Sequence, residues 1–419
     1  MEEFQFKNNV LRCEDVDLSE IANSLGTPGY VYSKRSVIDH CRGIERAFDG
    51  ADHLSCYAVK ANANPEILRL LANERVGADA GSIGEIKRAL AAGFPPGKIT
   101  YSGVGKRDDE IEFALRQKIL SLNVESEEEL SVIDNIASRI GIRAKILLRV
   151  NFDIRSETHP YITTGRKHNK FGVSPEKAKE IAGSIASYPF LELLGIHSHI
   201  GSQITESTTF LSAAEAIVNF IQELRSMGIP IRHLNFGGGF GVQYRGFVSH
   251  PMLPQESDGP ELHLATTKML ATILPPLRKA GCTILIQPGR SIVAHAGILL
   301  TKVLYRKVTE NKTFLIVDAG MNDLIRPSLY QSYHQIVPLQ LRNADHEVVD
   351  IVGPLCESGD FFALDRLMPR CERNDVLAVL CAGAYGYVLS SNYNGRPRPV
   401  EVMVDGNGFS VTTERESFE

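Results

Sequence analysis

Lys60 closes the stretch Leu54-Ser-Cys-Tyr-Ala-Val-Lys60-Ala-Asn62, an apolar run that ends on a primary amine. An amine at the mouth of a strand can hold an aldehyde covalently, or it can simply solvate the strand's end, as many lysines do. Further on, Asn235-Phe-Gly237-Gly238-Gly239-Phe-Gly241 bares backbone N–H groups with no side chains in the way, which suits a phosphate. Alone, the run means no more than a tight turn, since it matches neither G-x-G-x-x-G nor a P-loop. Gln287-Pro288-Gly289-Arg290 adds an arginine to it, at a spacing that fits the loops after strands seven and eight of a barrel, where such enzymes hold phosphates. A phosphate handle near an aldehyde-binding lysine fits pyridoxal phosphate.

Eight apolar runs bounded by turn residues supply the elements that position these groups: Leu54–Lys60, Val76–Ala80, Ile99–Gly103, Leu120–Val124, Ala144–Asn151, Leu193–Gly201, His233–Gly239 and Thr283–Gly289. Helix-like segments separate most of them, so the strands are expected to be parallel with crossover helices, and eight over roughly 240 residues predicts a (β/α)8 TIM-type barrel. A doubly wound open sheet is the alternative. The polar residues favour the barrel: Lys60, Asp79, Ser102, Asn123, His199, Gly237–Gly239 and Arg290 all fall at or just past the C-terminal ends of runs, where barrel enzymes build their sites.

After about residue 295 the helical period gives way to β-rich runs, Gly297–Val303, Thr313–Val317, Glu347–Val352, Val376–Cys381 and Val400–Val404. The expected organisation is a barrel over 36–295 and an all-β domain over 296–419, completed by residues 1–35 with their strand-like Tyr30-Val-Tyr32. The chain has 419 residues, 43% hydrophobic and 23% charged, with a net charge of −5, enough for two domains with a sizeable core. No basic block points to nucleic acid, and no run approaches the ~18 apolar residues of a membrane span. Met1-Glu-Glu-Phe lacks the features of a signal peptide, so the default location is the cytoplasm. Seven cysteines, an odd number without a C-x-x-C pair, read as reduced thiols. Glu125-Ser-Glu-Glu-Glu129 reads as a helix start, Ser126 capping and Glu129 following at the capping-box spacing. His197 and His199 share a strand face but have no further ligand at helpful spacing, so no metal is expected.

The chain resembles the diaminopimelate decarboxylases. The likeness is carried by Tyr57-Ala-Val-Lys60-Ala-Asn62, His197-Ser-His199-Ile-Gly-Ser202-Gln203, Gly237–Gly241, Asp318-Ala-Gly-Met-Asn-Asp-Leu-Ile-Arg326-Pro, Cys356-Glu357-Ser-Gly-Asp360 and Gly383-Ala-Tyr385-Gly, in order over nearly the whole chain. More broadly it is similar to the pyridoxal-phosphate enzymes that join an alanine-racemase-type barrel to a β domain, ornithine and arginine decarboxylases included. Diamine-forming relatives typically carry aspartate after the cysteine, whereas Glu357, Tyr161-Ile-Thr-Thr-Gly165 and Asn392-Tyr-Asn394 resemble the diaminopimelate branch.

By this resemblance Lys60 forms the Schiff base with the cofactor and His199 stacks on its ring. Ser202, Gly238, Gly239, Gly289 and Arg290 hold the phosphate side, with Asp79, Glu85, Gln287 and Tyr385 among the cofactor's neighbours. Arg290, Arg326 and Tyr330 contact substrate, Glu357 and Tyr385 serve its far end, and Cys356 supplies the proton after carbon dioxide leaves. A homodimer with shared sites is implied, because family members insert the cysteine loop of one subunit into the barrel mouth of the other. Two arginines also suit a substrate with a carboxylate at each end. Residues 151–172, with Gly165, Lys167, His168, Asn169 and Lys170, suit a polar loop over the site.

One position departs from the pattern. The loop after strand eight usually begins with glutamate, whose carboxylate pairs with the protonated ring nitrogen, and here it begins with Gln287. Either the electron sink is altered or another acid, Asp79 or Glu85, compensates. Other reactions on the same fold stay open: decarboxylation of ornithine, arginine or a carboxylated polyamine precursor, racemisation, or cofactor binding without catalysis.

Overall fold

A computed structural model describes residues 3–154, 170–255 and 266–418. The Tyr161–Gly165 segment and most of the expected loop over the site lie outside the described residues. The eight runs become strands β1 (His53–Ala58), β2 (Gly77–Ala80), β3 (Ile99–Tyr101), β4 (Ser121–Val124), β5 (Ala144–Arg149), β6 (Leu191–His197), β7 (His233–Asn235) and β8 (Thr283–Ile286), which close into a barrel. Every neighbouring pair is parallel, and β8 returns to β1 through Ile284↔His53, Leu285↔Leu54 and Ile286↔Ser55. Closure rules out the open-sheet alternative.

The strands are short and almost wholly buried, because helices cover their outer faces and side chains fill the interior. Local chemistry starts and stops those helices. Asn64 accepts from Glu66 N and Ile67 N ahead of Pro65–Asn73, and Ser82 caps Ile83–Ala91. Ser126 accepts from Glu129 N to open Glu127–Ile140, as the acidic run predicted, and that helix stops at Gly141 in the left-handed region.

The chain divides into two compact units, Cys41–Gly241 with His263–Ser291, which holds the barrel, and Met1–His40 with Val242–Leu262 and Ile292–Glu419, which is mostly β. In the second unit Gly29–Ser33, with its Tyr30-Val-Tyr32, is an inner strand. It runs antiparallel to Gly297–Val308 and parallel to Val400–Asp405. Phe361–Pro369, which the sequence pattern does not announce, pairs with His346–Val352. Asp365 within it has φ +48°, and such a residue breaks the period-two alternation that marks a strand. Cys381, expected inside a strand, lies past the end of Val376–Val379 with φ +57°.

Candidate active site

At the C-terminal end of the barrel, Lys60 is the middle residue of a 3-10 turn, Val59–Ala61, that follows β1 directly. Tyr57 Oη donates to Asn62 O at 2.9 Å and Asn62 Oδ1 accepts from Asn64 N at 2.9 Å, so the turn is held at both ends. Its small residues are required by a neighbour: a Cβ at Gly289 would lie 2.9 Å from Ala61 Cβ and 3.1 Å from Ala58 Cβ. The lysine side chain alone leaves this packed corner, and it is exposed. Its ammonium acts electrostatically on Asp79, Glu85, His197 and His199, which marks these four as its surroundings.

Three loops meet to form a cradle. Those after β6 and β7 are zipped together by Ile204 N donating to Gly239 O and Gly241 N to Ile204 O, both at 2.9 Å. Arg290, buried after β8, donates from Nη2 to Ser202 Oγ at 3.0 Å. The glycines here are forced by close approach: a Cβ at Gly238 would stand 2.1 Å from Gln287 O, and one at Gly239, where φ is +98°, 2.2 Å from Gly201 O. Gly237 N donates to Asn235 Oδ1 at 2.9 Å and Gly238 N to His199, which leaves the Gly239 N–H, beside a buried guanidinium and a hydroxyl, to form an anion site of the kind a phosphate occupies.

His199 accepts from Gly238 N at Nδ1, at 3.2 Å, which puts the neutral ring's hydrogen on Nε2. Burial, Lys60 and Arg149 together hold its imidazole well below the usual histidine range, so the ring is neutral and its face is compatible with stacking. His197 is driven neutral chiefly by burial and then by Arg149, His199 and Lys60; a contact with the Gln287 amide works the other way without reaching full hydrogen-bond geometry. Asp79 is fully enclosed. Burial raises its carboxyl above the ordinary carboxylate range, against the opposing pull of Lys60, donors from Ser102 and Thr100, and Arg149. Glu85 accepts from Gly81 N at 2.6 Å, so its carboxylate ties the loop that leads into helix Ile83–Ala91.

Arg149, at the end of β5, was not singled out from the sequence. Its guanidinium donates from Nη1 to Glu125 Oε1 at 2.6 Å, both side chains at most 7% exposed, and lies 4.6 Å over the Phe171 ring. Glu125 Oε2 also accepts from Gly172 N at 2.9 Å. Glu125 is thus more than the prelude to a helix: it neutralises a buried cation beside the site. The available signal was an arginine at the C-terminal end of an apolar barrel strand, the position already used to single out Lys60.

The second unit organises the remaining residues. Asp360, last in the Cys-Glu-Ser-Gly-Asp motif, accepts from Leu355 N at 2.7 Å and Met321 N at 2.6 Å, clasping the turn that carries Cys356 and Glu357 to the loop before Arg326. Cys356 and Glu357 project from that turn, both exposed, and Tyr393 Oη lies 3.5 Å from Glu357 Oε2. Arg326 is buried, bonded from Nη1 to His334 Nε2 at 2.9 Å, with its guanidinium 4.7 Å over the Tyr244 ring. His334 Nδ1 donates to Leu380 O at 2.8 Å, which makes Nε2 the acceptor for Arg326. Tyr330 and Tyr385 are half-buried, and Tyr385 sits in the left-handed region at φ +55°.

The barrel unit therefore brings together Lys60, Asp79, Glu85, His199, Ser202, Gly238, Gly239, Gln287, Gly289 and Arg290, and the β unit holds Arg326, Tyr330, Cys356, Glu357 and Tyr385. An accessible amine, a neutral ring face and a glycine cradle with its arginine fit pyridoxal phosphate. Residues 34–294 match the family described as pyridoxal-dependent decarboxylase, pyridoxal binding domain. The chain is 42% identical over 416 residues to the diaminopimelate decarboxylase of Aquifex aeolicus, covering 99% of this chain and 95% of the relative. It is 44% identical over 419 residues to that of Pseudomonas aeruginosa, covering 100% and 97%. The crystal structure of diaminopimelate decarboxylase from Helicobacter pylori complexed with L-lysine superposes with a TM-score of 0.88 at 41% identity, covering 96% of this chain and 97% of that one.

Proposed function

The chain belongs to the diaminopimelate decarboxylases, within the pyridoxal-dependent decarboxylases, and on that footing we propose that it converts meso-2,6-diaminopimelate to L-lysine and carbon dioxide, the last step of lysine biosynthesis. The observation that carries the reading is identity of 42–44% to enzymes of that name over essentially the whole chain. Pyridoxal phosphate supplies a conjugated ring that takes up the electron pair left on the α-carbon when carbon dioxide departs.

The chain's own residues bind, orient and handle one proton. Lys60 holds the cofactor's aldehyde end, and the Gly239 N–H, Ser202 and Arg290 hold its phosphate. His199, neutral and fixed by Gly238, offers its face to the ring. Arg326 grips a substrate carboxylate through charge-assisted hydrogen bonds, and Glu357 receives the distal ammonium. Cys356 delivers a proton from Sγ to the carbon that lost its carboxylate. Tyr330 and Tyr385 line the substrate's path.

A homodimer with shared sites completes the proposal. Cys356 is exposed on its turn, and Val348 and Leu367, opposite each other on the two strands that the turn joins, are 55% and 48% exposed. Apolar exposure of that kind beside a functional loop suits a partner subunit. Among the described residues no helix is long and apolar enough to cross a membrane; the seven free cysteines support our reading that the reaction is cytoplasmic.

The test is to offer the purified protein with pyridoxal phosphate meso-diaminopimelate, ornithine, arginine and lysine separately and to assay carbon dioxide and amine products. Lysine from diaminopimelate alone is expected. Turnover of ornithine or arginine instead would leave the cofactor reading intact and overturn the substrate.

A further inference from the structure

Gln287, buried just past β8, adjoins the glycine cradle through its backbone N–H, which donates to Gly237 O at 2.7 Å. Its side-chain nitrogen is fully committed. Nε2 carries two hydrogens, one directed to Asp79 Oδ1 at 2.8 Å and the other to Ser102 Oγ at 3.2 Å. The network around them fixes which end of the amide points that way. Asn123 Nδ2 donates to Ser102 Oγ at 2.7 Å, so the Ser102 hydroxyl directs its own hydrogen to Asp79 Oδ1, and Thr100 Oγ1 donates to the same oxygen at 3.0 Å. An oxygen that collects three donors is an ionised carboxylate's, and an amide oxygen turned toward it would set lone pair against lone pair. The other charges acting on Asp79 are the Lys60 ammonium and the Arg149 guanidinium, and both favour its anion; Glu85 is the nearby acid.

Gln287 is left with an acceptor only, its Oε1; the neutral His197 ring contacts the same amide without a full hydrogen bond, so at least one of the two lone pairs on Oε1 remains. We propose that Asp79 is a positioning residue which locks the Gln287 amide so that its carbonyl faces the cofactor's ring nitrogen, and that this nitrogen is therefore held protonated, with its countercharge one amide away. The inference rests on the pyridoxal phosphate reading of the barrel mouth. A ring nitrogen without a proton is itself an acceptor and has nothing to receive from Oε1, whereas a protonated one donates to it. The Asp79 charge strengthens that bond by polarising the amide between them. A glutamine here is then no loss of function: it passes the Asp79 charge to the ring nitrogen, where a glutamate would supply its own.

The experiment uses holoenzyme reconstituted with pyridoxal phosphate carrying 15N in its ring, whose 15N resonance reports protonation directly. Wild type is expected at the protonated position from mildly acidic to mildly alkaline pH. Asp79→Asn frees the Gln287 amide to turn, and the pH at which the ring nitrogen gives up its proton should fall by roughly 1–3 units, the scale set by one neighbouring charge. Gln287→Met, which keeps the volume and removes the acceptor, should shift it the same way and serves if Asp79→Asn fails to fold. An unprotonated ring in wild type, or an unmoved resonance in a folded variant, overturns the proposal. Wild type that retains no label fails differently: it removes the cofactor reading itself.

Discussion

Lys60 and Cys356 are assigned separable tasks, one holding the cofactor and the other moving a proton. Their variants should therefore fail in different ways. Lys60→Ala is expected to lose both turnover and the visible absorbance of bound pyridoxal phosphate after gel filtration. Cys356→Ala should keep that absorbance and its substrate affinity while kcat falls by roughly 10²–10⁴-fold, the usual worth of a positioned general acid. An unchanged kcat in Cys356→Ala would remove the thiol from the reaction. Of the individual residues, Lys60, His199, Arg290 and the glycines were legible because each follows an apolar run at a strand end. The commitment of Gln287 to Asp79 was not, because β2, β3 and β8 come together only when the sheet closes on itself.

The elements hold a buried ion pair and a buried carboxyl that the sequence pattern does not reveal. The Arg149–Glu125 pair lies between the end of β5 and the approach to helix Glu127–Ile140. Arg149→Met strands the Glu125 carboxylate, and urea unfolding should show a loss of about 3–5 kcal/mol, most of it recovered in Arg149→Met/Glu125→Gln. Asp323 sits in the loop that leads to Arg326, accepts from Gly320 N at 2.8 Å, and burial pushes its carboxyl up from 3.8 to about 7. Because the folded state binds this proton more tightly than the unfolded chain, the stability it contributes is present below the ordinary value and is lost as pH rises through about 7. Thermal melts should show Asp323→Asn less sensitive to pH between about 4 and 7 and more stable than wild type above it; a parallel pH profile in the two proteins would contradict this. All eight barrel strands could be read from the sequence because apolar runs and turn residues alternate regularly. Phe361–Pro369 escaped because the left-handed Asp365 interrupts its alternation.

At the scale of the whole molecule, the chain divides chemistry between a barrel that binds a cofactor and a β unit that carries Arg326, Cys356 and Glu357. The proposed sharing of sites makes a quantitative prediction: equal amounts of Lys60→Ala and Cys356→Ala, mixed and allowed to exchange subunits, should recover about a quarter of wild-type activity, since half the dimers are mixed and each has one intact site of two. A mixture that stays inactive while sedimenting as a dimer would put the cysteine and the lysine of each site on one chain. The most direct test of the function itself is to follow meso-diaminopimelate by NMR with the holoenzyme in deuterated water. Lysine carrying one deuteron on the carbon that lost its carboxylate is expected, with an equal amount of carbon dioxide. Deuterium entering the substrate with both carboxylates retained would contradict it and identify a racemase.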